Sequence, residues 1–228
     1  MSIAEKLTTV AENQQKVYDA GKQAENDRFW DSYQQNGNRT NYIGAFAGQG
    51  WTIDNCKPKY DMQPTDCTYM FFQNKFIKSF PEWLSTLNGI TIDFSQSTNM
   101  RYLFSGSDVT EVGTIDCSSC TNIYAMFDNC YYLKTVGKLI INDGTSYDYF
   151  LGGCSALENI TIEGVLSKTF SIGSCGKLTR ESLLSIINAL KDYSGSGTTY
   201  KLTLHAVAKA RLSEADIAIA TQKGWTIA

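Results

Sequence analysis

The chain predicts an α/β repeat solenoid with an N-terminal helix and a C-terminal α+β cap, and three observations carry that expectation. First, the phrase Thr91-Ile92-Asp93-Phe94-Ser95 returns as Thr114-Ile115-Asp116-Cys117-Ser118, and loosely as Ile140-Ile141-Asn142 and Thr161-Ile162-Glu163. The steps from Ile92 to Ile115, Ile141 and Ile162 are 23, 26 and 21 residues, the length of one supersecondary unit stacked on a copy of itself. Second, Phe71, Phe104, Phe127, Phe150 and Phe170 recur as aromatic anchors, with steps of 23 and 23 from Phe104 to Phe150. Third, the pattern changes after Leu178 into alternating helix and strand signals.

Residues 1–33 predict a helix. Ile3, Leu7, Val10, Gln14, Val17, Gly21 and Ala24 alternate by four and three, which is a heptad seam. Ser2 with Glu5 fits a capping box. One such helix is marginal alone in water, so it needs sister helices or the rest of the chain. The oligomerisation reading takes Ile3, Leu7, Val10, Val17 and Ala24 as the apolar seam of a homo-oligomer, a trimer in preference to other states, with Gln14 as a polar layer that fixes register. The other reading is a lone helix packed on its own domain or on an unrelated partner.

Residues 34–66 read as a linker and N-terminal cover. Gly44, Gly48 and Gly50 mark turns, and Tyr42, Phe46 and Trp51 are placed to cover the open end of the repeat core. The repeats span 67–178. Met, Leu or Tyr often precedes the anchor, as at Phe71, Phe104, Phe127 and Phe150, and after it come a Cys or small residue, then Leu133 or Leu157, then Val136 or Ile160. Residues 179–228 form the cap. Thr179 is a helix N-cap before Leu183, Ile186, Ile187 and Leu190, Tyr200 to Leu204 alternates like a strand, Ser213 with Asp216 starts another helix that Gly224 ends, and Trp225-Thr226-Ile227 is a last strand.

Composition bounds the function. A net charge of -3 without a Lys/Arg cluster gives no footprint for nucleic acid. The longest apolar runs fall far short of the roughly 18 residues of a membrane span, and the first residues lack an export signal's apolar stretch. Seven cysteines are an odd number. Cys130-x-x-Leu133, Cys154-x-x-Leu157 and Cys175-x-x-Leu178 suggest a ladder of buried free thiols. Cys117-x-x-Cys120 lacks the second ligand pair of a zinc site, and His205 is far away in sequence. No metal or cofactor is expected.

The order Met/Leu-Phe, small-Cys, Leu, Val/Ile at about 23 residues resembles the BspA-like, or Treponema-type, leucine-rich repeat. Over nearly its full length the chain resembles short repeat proteins of phages and prophages of gut Firmicutes. The matching stretches are Ile3 to Leu7, Ala11 to Gly21, Ala45-Phe46-Ala47-Gly48 before Trp51, Leu178 to Leu184, and Ala220 to Trp225. The resemblance implies an irregular leucine-rich repeat and a virion-associated tail-tip or fibre component, located in the phage particle, that touches the host surface. It implies that the N-terminal helix attaches to other virion proteins.

Tyr102, Tyr124, Tyr131, Tyr132, Tyr147 and Tyr149 are interleaved with Asn, Ser and Asp, and of these Tyr102, Tyr124, Tyr131, Tyr132 and Tyr147, together with Asp93 and Asp116, are the candidate binding residues. Tyrosine supplies amphipathic contact area at low entropic cost, a composition suited to a host surface glycan or protein. Asp93, Asp116, Asn142 and Glu163 each follow a strand isoleucine and are expected in one row, about 5 Å apart. Such a row serves a glycan-cleaving enzyme or calcium, or merely faces solvent. The leading expectation is a non-catalytic receptor-binding tail protein; the alternatives are a structural virion decoration or baseplate protein, a bacterial surface adhesin, and a glycan-cleaving tail enzyme.

Overall fold

The computed structural model describes residues 3–34, 38–48, 58–80 and 89–228. In chain order the elements are α1 (Ile3–Tyr33), β1 (Glu111–Cys117), β2 (Thr135–Ile141), β3 (Asn159–Gly164), β4 (Phe170–Ile172), α2 (Arg180–Asn188), β5 (Tyr200–Leu204), α3 (Ala206–Lys209), α4 (Glu214–Gln222) and β6 (Trp225–Ile227). The strands form two separate parallel sheets of three, ordered β1-β2-β3 and β4-β5-β6. This corrects the expected leucine-rich-repeat solenoid: among the described residues there are two small sheets and few helices, not one continuous α/β repeat coil. β4, assigned in sequence to the repeats, pairs instead with the C-terminal strands, Phe170 opposite Leu202 and Ile172 opposite Leu204.

The first sheet stops at β3 because a helix takes the place of the next strand. Ser182 and Ser185 of α2 turn their hydroxyls onto the β3 edge, where Oγ of each accepts an amide, from Ile160 at 3.0 Å and Ile162 at 2.8 Å. The same hydroxyls donate to Glu158 O and Ile162 O. A strand edge that would otherwise carry unpaired backbone groups is thereby satisfied and covered.

Between α1 and β1, and again between strands, the chain makes tight turns that stack in parallel. Isolated bridges join Asn41 to Asp66, Asp66 to Asn99, Asn99 to Asn122 and Asn122 to Ser146. The Asx side chains at these positions each accept the amide two residues on, from Ile43, Thr68, Arg101 and Tyr124. Just before them, Thr65, Thr98 and Thr121 donate their hydroxyls to the carbonyls of Thr40, Thr65 and Thr98, one turn earlier. Three residues past each bridge the backbone becomes left-handed, at Gly44, Tyr69, Tyr102, Ala125 and Tyr149. It does so again four residues later, at Gly48, Gln73, Gly106, Asn129 and Gly153.

Between those two left-handed positions sits the core aromatic. The rings of Phe46, Phe71, Phe104 and Phe127 stack in sequence with centroids 5.2, 5.0 and 5.6 Å apart and planes within 10°. Their amides donate to Met70 O, Leu103 O, Met126 O and Phe150 O in the next turn, at 2.7 to 2.9 Å. Phe150 does not continue this column. Counting from the left-handed Tyr149, the equivalent of Phe127 is Leu151, and Phe150 takes the place of Met126 and packs against Phe170 at 6.1 Å. The equal spacing of 23 residues therefore misaligned the last turn by one. A two-residue displacement separates the sequence phrases in the first sheet: Ile115 pairs with Leu139 and then Ile162, while Ile141 lies opposite Cys117. A separate one-residue irregularity lies between Val136 and Leu139 in the β2–β3 pairing.

Trp30 and Trp225 lie at the two ends of this core. Both are fully buried; Trp30 packs on Phe46 at 5.6 Å, and Trp225 on Phe170 at 6.4 Å with its Nε1 donating to Lys191 O. The end of α1 is held by Gln34, whose side chain bonds three backbone groups of Lys59 and Tyr60. Tyr42 and Phe46 are buried near that end, as the sequence suggests, while Trp51 lies outside the described residues. In the C-terminal part Thr179 caps α2, and Ser213 with Asp216 forms a reciprocal capping box on α4.

Arg180 clamps Asp216 with two bonds of 2.9 and 2.6 Å, tying α2 to α4. Those bonds, with the Ser213 amide, hold the Asp216 carboxyl down at about 2. A carboxyl depressed in the folded state stabilises it above the ordinary carboxylate range and loses that contribution as pH falls through the folded value. Urea unfolding followed between pH 5 and pH 2 should show stability falling through this window, and Asp216→Asn should flatten the fall while lowering stability at pH 7.

Candidate functional site

The left-handed positions put aromatic side chains on the outside of the stacked turns. Tyr69 and Tyr102 stack face to face at 4.8 Å, Tyr102 meets Tyr124 edge-on at 5.4 Å, and Tyr124 meets Tyr149 edge-on at 5.7 Å. Phe72 joins the end of the row beside Tyr69 at 5.2 Å. Tyr69, Phe72, Tyr102 and Tyr124 are half-buried, whereas Tyr149 is 65% exposed. Arg101 lies over the Tyr102 ring at 5.3 Å.

Three tyrosines in this row, Tyr69, Tyr102 and Tyr149, have φ of 58°. An L-residue in that region is disfavoured by about 1–2 kcal/mol, and the first turn shows that glycine serves, at Gly44. Strained non-glycine backbone of this kind concentrates at functional sites. The row is therefore the strongest candidate for a contact surface.

Around Tyr149 the surface also becomes polar. Asn129, itself left-handed, donates from Nδ2 to Asp128 Oδ2 at 2.8 Å and accepts the Tyr131 hydroxyl on Oδ1 at 2.7 Å. Asp128 lies so close to the next turn that a Cβ on Gly152 would meet its Oδ1 at 2.4 Å. Partial burial pushes the Asp128 carboxyl above the ordinary carboxylate range. Tyr131 and Tyr132 are both more than half exposed.

The expected binding residues separate accordingly. Tyr102 and Tyr124 belong to the row, and Tyr131 and Tyr132 lie on the exposed corner after Asn129. Tyr147 is corrected: it is buried, and its hydroxyl donates to Lys168 O and accepts the Lys168 amide, which makes it a core side chain. Asp93 and Asp116 are turn formers, each accepting the amide two residues on, from Ser95 and Ser118. The bond from Ser95 keeps the Asp93 carboxyl below its ordinary value.

The acidic row is not assembled. Ile140 stands between Asp116 and Glu163 in the sheet register, Glu163 pairs with Lys138 at 2.7 Å, and Asn142 turns its amide onto Ser118 O and Cys120 O. Sequence reasoning missed Tyr69, Phe72 and Asp128. The spacing Thr65-Asp66-x-x-Tyr69, parallel to Thr98-Asn99-x-x-Tyr102, was the signal that could have found the first.

Of the seam residues on α1, Gln14, Val17 and Ala24 are exposed, Val17 by 74%; the side chains of Ile3, Leu7 and Val10 lie outside what is described. Cys67, Cys117, Cys120, Cys130, Cys154 and Cys175 are buried free thiols. Burial pushes the Cys67, Cys130 and Cys175 thiols up to about 12. Among the described residues no group of three His, Cys, Asp or Glu side chains could hold a metal ion, and no helix is long and apolar enough to cross a membrane. A shallow recess of about 190 Å³ between Thr135, Asn159 and Glu181 offers one carboxylate and no convergent set of polar groups. No family model, curated protein or solved structure matches the chain.

Replacing Tyr149 separates backbone strain from side-chain use. Tyr149→Gly should leave the free energy of unfolding within about 0.5 kcal/mol of the native chain or raise it, because relief of strain offsets the greater freedom of the unfolded chain. Tyr149→Val should lower it by about 1–2 kcal/mol, since a branched residue is poorly tolerated there. Chemical denaturation of the two variants measures both.

Proposed function

We propose that this chain is a non-catalytic, virion-associated protein of a phage or prophage tail, which binds a component of the host envelope through the tyrosine row. The observation that carries this reading is the retention of Tyr69, Tyr102 and Tyr149 in a backbone conformation that glycine would adopt without strain. A purely packed surface would have no use for those rings at that cost. The sequence resemblance described above supplies the tail and envelope setting. The long α1, in which Trp30 of the last turn is the one buried side chain among those described, is suited to attachment and trimer formation.

Two measurements test the reading. Labelled protein should bind intact host cells, and Tyr69→Gly combined with Tyr102→Gly and Tyr149→Gly should reduce binding about tenfold or more; equal binding by the triple variant overturns the assignment of the row. The full chain should have the solution mass of a trimer, and deletion of residues 1–24, which spares Trp30 and Gln34, should give a monomer. A full-length monomer removes the oligomerisation role of α1.

A further inference from the structure

Resting on that reading, we infer that the corner formed by Tyr124, Asp128, Asn129, Tyr131 and Tyr149 is a subsite for a neutral saccharide unit. The rings of Tyr69 and Tyr102 cover one face of each other at 4.8 Å with planes 6° apart, and Phe72 and Arg101 crowd that end of the row further. Tyr149 closes the row among these tyrosines, meets Tyr124 edge-on with planes 68° apart, and is 65% exposed, which leaves ring surface open to solvent. An open aromatic face accepts the apolar C–H side of a sugar ring, and it does so with little loss of side-chain entropy.

The polar groups beside it fit the hydroxyls of the same ligand. Asp128 Oδ2 is held by Asn129 Nδ2, while Oδ1 lies over the Gly152 backbone. Gly152 has no positive φ to explain it. Its lack of a side chain makes room for this carboxylate, since a Cβ would stand 2.4 Å from the oxygen. Asn129 is fixed in turn by the Tyr131 hydroxyl and by close approach to Gly153, where a Cβ would meet its Oδ1 at 2.9 Å. Two neighbouring side chains with acceptor oxygens at a fixed separation suit a pair of vicinal hydroxyl donors. Among the described residues no lysine or arginine pairs with these side chains, and the carboxylate disfavours an acidic sugar; a neutral saccharide is the class that satisfies both the rings and the acceptors.

The test is binding of the full-length native chain to a printed array of neutral and acidic oligosaccharides, beside binding to periodate-treated host cells. We expect neutral saccharides to be retained, cell binding to fall after periodate, and both Asp128→Ala and Tyr149→Gly to weaken array binding about tenfold or more, with Val207→Ala, at an exposed position of α3, changing it less than about threefold. Thermal unfolding of each variant separates lost contact from lost fold. Cell binding that survives periodate, with no saccharide retained, overturns the saccharide subsite and leaves the tail-binding reading standing. Loss of cell binding by the native chain itself counts against that broader reading instead. Retention of acidic saccharides alone, or an equal loss in Val207→Ala, also overturns the subsite.

Discussion

The structure depends on a parallel backbone register between successive turns, in which the amide of each core phenylalanine donates to the carbonyl of the residue before its counterpart in the next turn. Two left-handed residues four apart make that register possible, because they bend the chain tightly enough to aim the core side chain and the residue before it inward. The carbonyl of each core aromatic then needs a second partner in a dry interior. A column of small donors supplies it: Asn74 Nδ2 to Phe46 O at 2.8 Å, Cys130 Sγ to Phe104 O at 3.1 Å, Cys154 Sγ to Phe127 O at 3.1 Å and Cys175 Sγ to Leu151 O at 3.6 Å. The cysteines are thus weak hydrogen-bond donors of the right size, which explains an abundance of thiols in a chain that keeps six of them free and buried.

The same geometry links core to surface. Fixing the core side chain inward between two left-handed residues places the residue two before it, which is a tyrosine on the outside ahead of Phe71, Phe104 and Leu151 and a buried alanine ahead of Phe127. The row of tyrosines is therefore positioned by the core and needs no loop of its own to hold it. A fully buried phenylalanine contributes about 1.5–3 kcal/mol, and four stacked in contact can carry the local strain of the tyrosines outside them. Packing energy at Phe46, Phe71, Phe104 and Phe127 in this way underwrites a surface whose own backbone is disfavoured.

Much of the architecture was legible in residues 179–228, where Thr179, Ser213 and Asp216 cap helices as their types and spacing dictate. The recurring Phe and Cys were legible as interior columns, since both residue types are readily buried. The register was not. Phe150 and Leu151 differ by one position and Ile141 and Leu139 by two, differences that no hydrophobic pattern distinguishes, because both members of each pair are apolar and buried. The division into two sheets was hidden for a related reason: two serines on a helix do the work of a strand edge, and serine in a helix carries no such signal. Tyr147 and Tyr149 illustrate the same limit at the surface, two residues apart and chemically identical, one buried and one 65% exposed.

Amide hydrogen exchange at Phe46, Phe71, Phe104 and Phe127 tests the turn-to-turn register most directly, since each of these amides has its partner in the following turn. Slow exchange of all four, with opening free energies close to that of global unfolding, is the expected result. Exchange of these amides at the rate of the exposed Ser194–Thr198 loop would contradict it, and with it the positioning of the tyrosine row.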